Sequence, residues 1–380
     1  MLYWLLFERL SPTFGPLRLF GMVTFRVAAA SLLAMLLCIV LGPWLISRLR
    51  QFQIGQYIRE DGPQWHQKKA GTPTMGGILI IIAIIVPTLL FTNLRSPYPW
   101  IAMLGLLGFG AIGFVDDYAK VTKRQNLGLT AKAKFSMQVL VSLIIGLLLL
   151  VLHARGLYST GMNVPFLKQF QPDLLIDSLL SSPYTYPFAF LFFFLFVSFV
   201  LVGAANSVNL TDGLDGLAIG LMIIAAGATT ALTYIAGHRA FATYLDLQRV
   251  PGSAELTIFC AAMTGASIGF LWWNAHPAEI FMGDVGSLAL GGALGTVAVL
   301  IKQEILLIFI AGVFVLESLS VILQVASYRL RGKRLFLMSP LHHHFESLGW
   351  EESKVIIRFW IAGLVLALFA LTTQIGRAHV

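Results

Sequence analysis

The chain has 380 residues, of which 57% are hydrophobic and 12% charged, with a mean hydropathy of +0.81. Soluble domains carry about 25% charged residues, so water is not the main solvent of this chain. The formal net charge of +8 does not point to nucleic acid, because the basic residues lie in short connections between apolar stretches rather than on one soluble patch with exposed aromatics. No polar block is large enough to fold alone, and residues 1–380 read as a single membrane domain.

In chain order, the first apolar stretch, Phe20 to Ile46, is longer than the roughly 7 to 15 residues of a signal-peptide core and has no small-residue cleavage site after it, so it stays as an anchor. A membrane-crossing helix needs about 20 mostly apolar residues, and lipid forbids any other open backbone. Ten segments qualify: 22–47, 75–93, 98–115, 135–152, 187–206, 214–236, 256–273, 285–301, 304–326 and 356–375. The expected fold is therefore all-α and polytopic. Lys302 and Gln303 alone divide segments eight and nine, which form a tight hairpin. Cys38 and Cys260 both sit in apolar segments and read as small buried hydrophobes. The loop from Leu152 to Tyr186 has room for a short hairpin or an interfacial helix.

Lys and Arg are enriched in cytoplasmic connections. One set of connections carries fifteen of them and the opposite set six, which puts both termini outside the cytoplasm. Membrane-proximal cations attract anionic lipid or phosphate by about 1 kcal/mol each.

Four polar islands fall on the cation-rich side. Asp116 and Asp117 close the third span in GFVDDYAK, where two acids at a helix C-terminus oppose the macrodipole and call for a cation or a function. In NSVNLTDGLDGLA, a helix starting near Thr211 puts Asp212 and Asp215 on one face beside Asn206 and Asn209, with Gly213 and Gly216 leaving room for a ligand. In WWNAHPAEIFMGDVGSLALGG, Asp284 lies between glycines at the entry to span eight, with Asn274 and Phe281 nearby. A site with few carboxylates, completed by water and substrate phosphates, suits Mg²⁺ and phosphoryl transfer. The last island, SPLHHHFESLGWEESK, carries His342, His343 and His344. Neighbouring side chains diverge, and no zinc spacing accompanies them, so phosphate contacts or support of an active-site loop fit better than a metal.

The run KKAGTPTMGG, residues 68–77, brings cations and hydroxyls, Thr74 among them, to the mouth of span two without the spacing of a P-loop. Glu317 lies mid-span and is either structural or part of a lipid groove.

GTPTMGG, GFVDDYAK, NLTDGLDGLA, FMGDVGSLALGG and PLHHHFE, in this order and over essentially the whole chain, closely resemble the phospho-N-acetylmuramoyl-pentapeptide transferase family. That family belongs to the polyprenyl-phosphate N-acetylhexosamine-1-phosphate transferases. The resemblance implies UDP-N-acetylmuramoyl-pentapeptide and undecaprenyl phosphate as substrates, lipid I and UMP as products, Mg²⁺ as cofactor, and a homodimer in the bacterial inner membrane with periplasmic termini. It makes Asp284 the metal ligand, Asp116 and Asp117 catalytic acids, and the three histidines part of the active site. It assigns Lys69, Asp215, Asn274 and Phe281 to the uridine moiety, and Asn209, Asp212 and Lys132 to substrate binding. A related N-acetylglucosamine-1-phosphate transferase and a transporter of lipid-linked substrates are the alternatives. Whether Asp116 or Asp117 is a base, a positioning group or a nucleophile stays open, since a phosphate monoester with its second pKa near 6 is largely ionised at neutral pH.

Overall fold

The structure is a computed structural model that describes residues 1–52, 71–123, 128–165, 167, 170–175, 185–245 and 249–375. Two short helical segments, Tyr3–Leu10 and Gly15–Gly21, precede α1 (Val23–Gln51). Then follow α2 (Gly77–Phe91), α3 (Pro97–Lys123), α4 (Ala131–Ala154), α5 (Tyr186–Thr211), α6 (Leu217–Gly237), α7 (Arg239–Tyr244) and α8 (Ala254–Asn274). The chain ends with α9 (Gly283–Leu300), α10 (Glu304–Ile310), α11 (Gly312–Arg331), α12 (Leu341–Ser347) and α13 (Glu352–Ile375). Among the described residues, nine helices are long and apolar enough to cross a membrane, and α2 is a shorter apolar helix. All ten expected segments are helical, and the protein is an all-α, multi-pass membrane protein.

α9 is the axis of the bundle. Every residue from Val285 to Leu300 is buried, as expected of a helix apolar on all sides that lies inside a larger assembly. It packs on α3, α5 and α2 through small residues that let main chains touch. A Cβ on Gly113 of α3 would come 2.1 Å from the Asp284 carbonyl oxygen, and one on Gly77 of α2 would come 2.0 Å from the Gly286 nitrogen. α1 uses the same device on one side only: Ala30, Ala34, Cys38 and Gly42 are buried against α8, while Leu32, Leu36 and Val40 are exposed toward lipid.

Three expectations change. The third span does not stop at 115: α3 continues through Lys123, so the aspartate pair is helical rather than terminal. The fifth span runs on to Thr211, and no helix starts there, because residues 212–216 form a turn closed by Gly216 at φ +80°. Asp212 and Asp215 therefore share a turn, not a helical face. Segment nine bends at Ala311 (φ −96°, ψ 26°), although Ala311 N–H still bonds to Leu307 and Val315 N–H to Ala311. In the long loop, expected to hold a short hairpin or an interfacial helix, Gly161 and Asp173 form an isolated antiparallel bridge.

The bundle end away from the polar islands is closed by buried ion pairs. Arg26 and Glu255 meet at 2.8 Å, and Glu255 also accepts the Asn93 N–H at 2.7 Å. Lys302, counted above as a loop charge, is fully enclosed, with its Nζ 2.8 Å from Glu304 and 3.0 Å from the Tyr158 hydroxyl.

The close contact of α3 with α9 predicts that Gly113→Ala destabilises the protein by about 1–3 kcal/mol, because its new methyl meets main-chain atoms that cannot move aside. Gly227→Ala, with nothing within 4 Å of its new methyl, should be neutral or slightly stabilising. Thermal unfolding in detergent measures both.

Candidate active site

Because α3 continues past them, Asp116 and Asp117 stand one turn before Lys120, and both are buried against α9. The Lys120 ammonium lies 2.7 Å from Asp116, 3.4 Å from Asp117 and 2.9 Å from Asp284 in the first turn of α9. A second ammonium, Lys134 near the start of α4, reaches Asp284 at 2.8 Å and Asp116 at 3.7 Å. Oxygens of the three carboxylates lie within 4.8 Å of one another. Three acids thus meet two ammonium groups at one point.

Each carboxylate is also fixed by a neutral donor. Asp116 Oδ1 accepts the Leu129 N–H at 2.7 Å, Asp117 Oδ2 accepts the Val285 N–H at 3.1 Å, and Asp284 Oδ1 accepts the Asn209 amide at 2.7 Å. The Asn209 amide also donates to Ser287 Oγ at 2.9 Å, so this side chain at the end of α5 orients the first turn of α9. The pair on α3 thus sits in two settings, one aspartate tied to the α3–α4 connection and the other to α9. Lys120, Lys134 and Ser287 were not singled out from the sequence. The GFVDDYAK octet contains Lys120 four residues after Asp116, a spacing that puts the two on one helical face. Lys134 could have been separated from Lys132 only by knowing which face of α4 meets α3; Lys132 is exposed.

The turn 212–216 carries a second group. Asp215 Oδ2 accepts the Ala278 N–H at 3.1 Å and lies 3.3 Å from His276 Nδ1, with Glu352 of α13 3.6 Å from the same ring nitrogen. Asn274 accepts the Gly216 N–H at 3.1 Å and donates to the Ile280 carbonyl at 2.9 Å. Asp215 and Asn274 together pin the 275–282 connection to the turn. That connection is laced to the mouth of α2: Phe281 N–H bonds to Pro73 and Gly76 N–H to Phe281. A Cβ on Gly283 would lie 2.5 Å from Asp117 Oδ2 and 2.9 Å from Thr74 Oγ1, which brings Thr74 to the edge of the carboxylate cluster. Burial, with the negative charges of Asp284, Asp117 and Asp215, pushes the Asp212 carboxyl up to about 8.

The histidines take different partners, although the His342 and His343 rings lie side by side with centroids 4.2 Å apart. His342 is fully buried against Gly213 and faces Glu317, His343 Nδ1 lies 2.7 Å from Glu346, and His344 Nδ1 accepts the Leu337 N–H at 3.2 Å. Glu317 is thus part of the His342 environment. Lys69 lies outside the described residues. The rest of the sequence-derived candidates gather at one end of the bundle, with Asp212–Gly216 between the carboxylate cluster and His342.

The sequence profile of Glycosyl transferase family 4 matches residues 99–302, a stretch that contains both α3 aspartates, the turn and Asp284. A phospho-N-acetylmuramoyl-pentapeptide-transferase signature matches residues 69–81. Proteins carrying the name phospho-N-acetylmuramoyl-pentapeptide-transferase are similar along nearly the whole chain. The one from Solibacter usitatus is 66% identical over 98% of this chain and 99% of its own, and that from Koribacter versatilis is 63% identical over the same shares. That from Acidobacterium capsulatum is 66% identical, again over 98% and 99%. With both carboxylate-bearing helices inside the matched region and likeness from end to end, the chain is a phosphoglycosyl transferase that belongs to the phospho-N-acetylmuramoyl-pentapeptide transferase family.

Proposed function

We propose that this protein, as one catalytic domain in the bacterial inner membrane, moves phospho-N-acetylmuramoyl-pentapeptide from UDP to undecaprenyl phosphate, giving lipid I and UMP. The meeting of Asp116, Asp117 and Asp284 with Lys120 and Lys134 carries the reading, since an anionic diphosphate and an anionic lipid phosphate must be brought together there. The site end faces the cytoplasm on the charge asymmetry of the connections, which leaves both termini periplasmic, and the working unit is a homodimer.

The donor set suits Mg²⁺: three hard carboxylates converge, and a cation already stabilises that point in the form of the Lys120 ammonium, which touches all three. Asp284 would hold the ion, with Asp116 and Asp117 in reach. When bound, it would neutralise charge on the substrate diphosphate.

In the reaction an oxygen of the lipid phosphate attacks the β-phosphorus of the nucleotide in line. A P–O bond forms to the sugar phosphate, the bond from β-phosphorus to the bridging oxygen breaks, and UMP leaves with that oxygen. Lys120 and Lys134 supply positive field across the phosphates. Asp116 and Asp117 act by position: each has an oxygen occupied by a main-chain N–H and the pair shares Lys120, and a phosphate with its second pKa near 6 needs little help to ionise. Asp215, Asn274 and Phe281 shape the uridine pocket with Lys69. Asn209 orients Asp284, Asp212, Thr74 and Lys132 complete the substrate surface, and the histidine segment supports it from behind the turn.

Purified protein in detergent should release UMP from UDP-N-acetylmuramoyl-pentapeptide only with undecaprenyl phosphate and a divalent cation present. Release from UDP-N-acetylglucosamine instead would assign it to the related branch, and substrate movement without UMP would identify a transporter. Asp284→Asn should lower kcat by at least 10²-fold. Asp116→Asn should lose similar activity at pH 6 and pH 9; recovery at pH 9 would restore the base role. For Asp212 the sign is set by a folded-state value raised above the unfolded one, so its ionisation lowers stability between about pH 4 and 8. Asp212→Asn should therefore raise the unfolding temperature in chelator-containing buffer at pH 8 and leave it unchanged near pH 4.

A further inference from the structure

Glu317 and His342 form a buried pair that the carboxylate cluster does not explain. Both side chains are fully enclosed, Glu317 on α11 and His342 near the start of α12. Glu317 Oε1 accepts the His342 main-chain N–H at 3.2 Å and lies 3.3 Å from the ring Nδ1, in reach but out of line for a hydrogen bond. Among the described residues, Glu317 Oε2 and both ring nitrogens have no hydrogen-bond partner. A carboxylate and an imidazole left this way within an apolar bundle are unfavourable in themselves, and such groups persist where they serve a site. The far side of the ring abuts the substrate turn: a Cβ on Gly213 would come 2.4 Å from His342 Nε2, next to Asp212 and two residues from Asp215.

We propose that Glu317 is a positioning residue of the transfer reaction, acting through His342. Its carboxylate takes the Nδ1–H, which fixes the ring orientation and the tautomer, and the Nε2 edge packed against Gly213 then holds the Asp212–Gly216 turn in place for the sugar-nucleotide. Contacts of this kind often align only when substrate is bound. This inference rests on the transferase reading. The competing role is purely structural, with Glu317 capping α12 through the main-chain bond alone.

A mutant cycle on the full-length protein separates the two. Glu317→Leu is expected to reduce kcat about 10- to 100-fold with KM for the nucleotide within twofold of wild type, and Glu317→Gln, which keeps an acceptor oxygen, to recover most of the loss. In a His342→Gln background, Glu317→Leu should cost nothing further, because residues acting as a unit are not additive. A double variant whose loss is the product of the two single losses overturns the proposal in favour of the cap. So does a Glu317→Gln as impaired as Glu317→Leu, or a Glu317→Leu with wild-type kcat. If the Leu variant does not accumulate folded, the cycle uses Glu317→Gln and Glu317→Asp. Their losses should then vanish in the His342→Gln background, and equal fractional losses in both backgrounds overturn the proposal. Absence of UMP release by the wild-type protein is a separate result: it removes the transferase reading before any variant is compared, and this inference with it.

Discussion

Carboxylates held within 4.8 Å of one another repel strongly where water is scarce, and the arrangement of the site end depends on how this protein opposes that repulsion. Lys120 and Lys134 do it from two different helices. Lys120 belongs to the same helix as the aspartate pair and comes with it at a fixed spacing. Lys134 arrives on α4 and reaches across to Asp284 on α9. The ammonium groups therefore join α3, α4 and α9 beside one of the close main-chain contacts, at Gly113 against Asp284. Glycine contacts set how near the helices come, and charge pairing sets their register.

The membrane architecture was legible because lipid imposes a simple rule on backbone hydrogen bonds, and the apolar lengths obey it from Val23 to Ile375. Helix ends were less legible, for a physical reason. α3 and α5 carry polar residues, Asp116 to Lys120 and Asn206 to Thr211, that hydropathy reads as an exit from the membrane, yet these side chains point into the protein and find partners there. α5 runs past the first polar residues to Thr211, and the chain then turns over 212–216, where Gly216 at φ +80° precedes α6.

Within the site, the acids stood out because carboxylates are rare in this chain, and their convergence across α3 and α9 matched the expectation that they share a bundle end. The cations did not stand out, since Lys and Arg are common in the connections and their assignment to topology was equally sensible for each. Lys302 shows the opposite failure, a residue read as a loop charge that is enclosed with Glu304 and Tyr158. Asn209 and Asn274 look like ligand-binding amides in sequence, but the groups they engage here are protein groups. Only three-dimensional neighbours distinguish an amide that orients a carboxylate from one that waits for substrate.

The contacts that define the site are long-range in the chain. Asp117 bonds to Val285 across 168 positions and Lys120 to Asp284 across 164. During synthesis the first three spans are complete long before α9 emerges, and until it does Asp117 lacks its main-chain donor and the pair lacks the third carboxylate. The early helices can enter the bilayer on hydropathy alone. The carboxylate cluster is therefore complete only once α9, far along the chain, has joined the bundle.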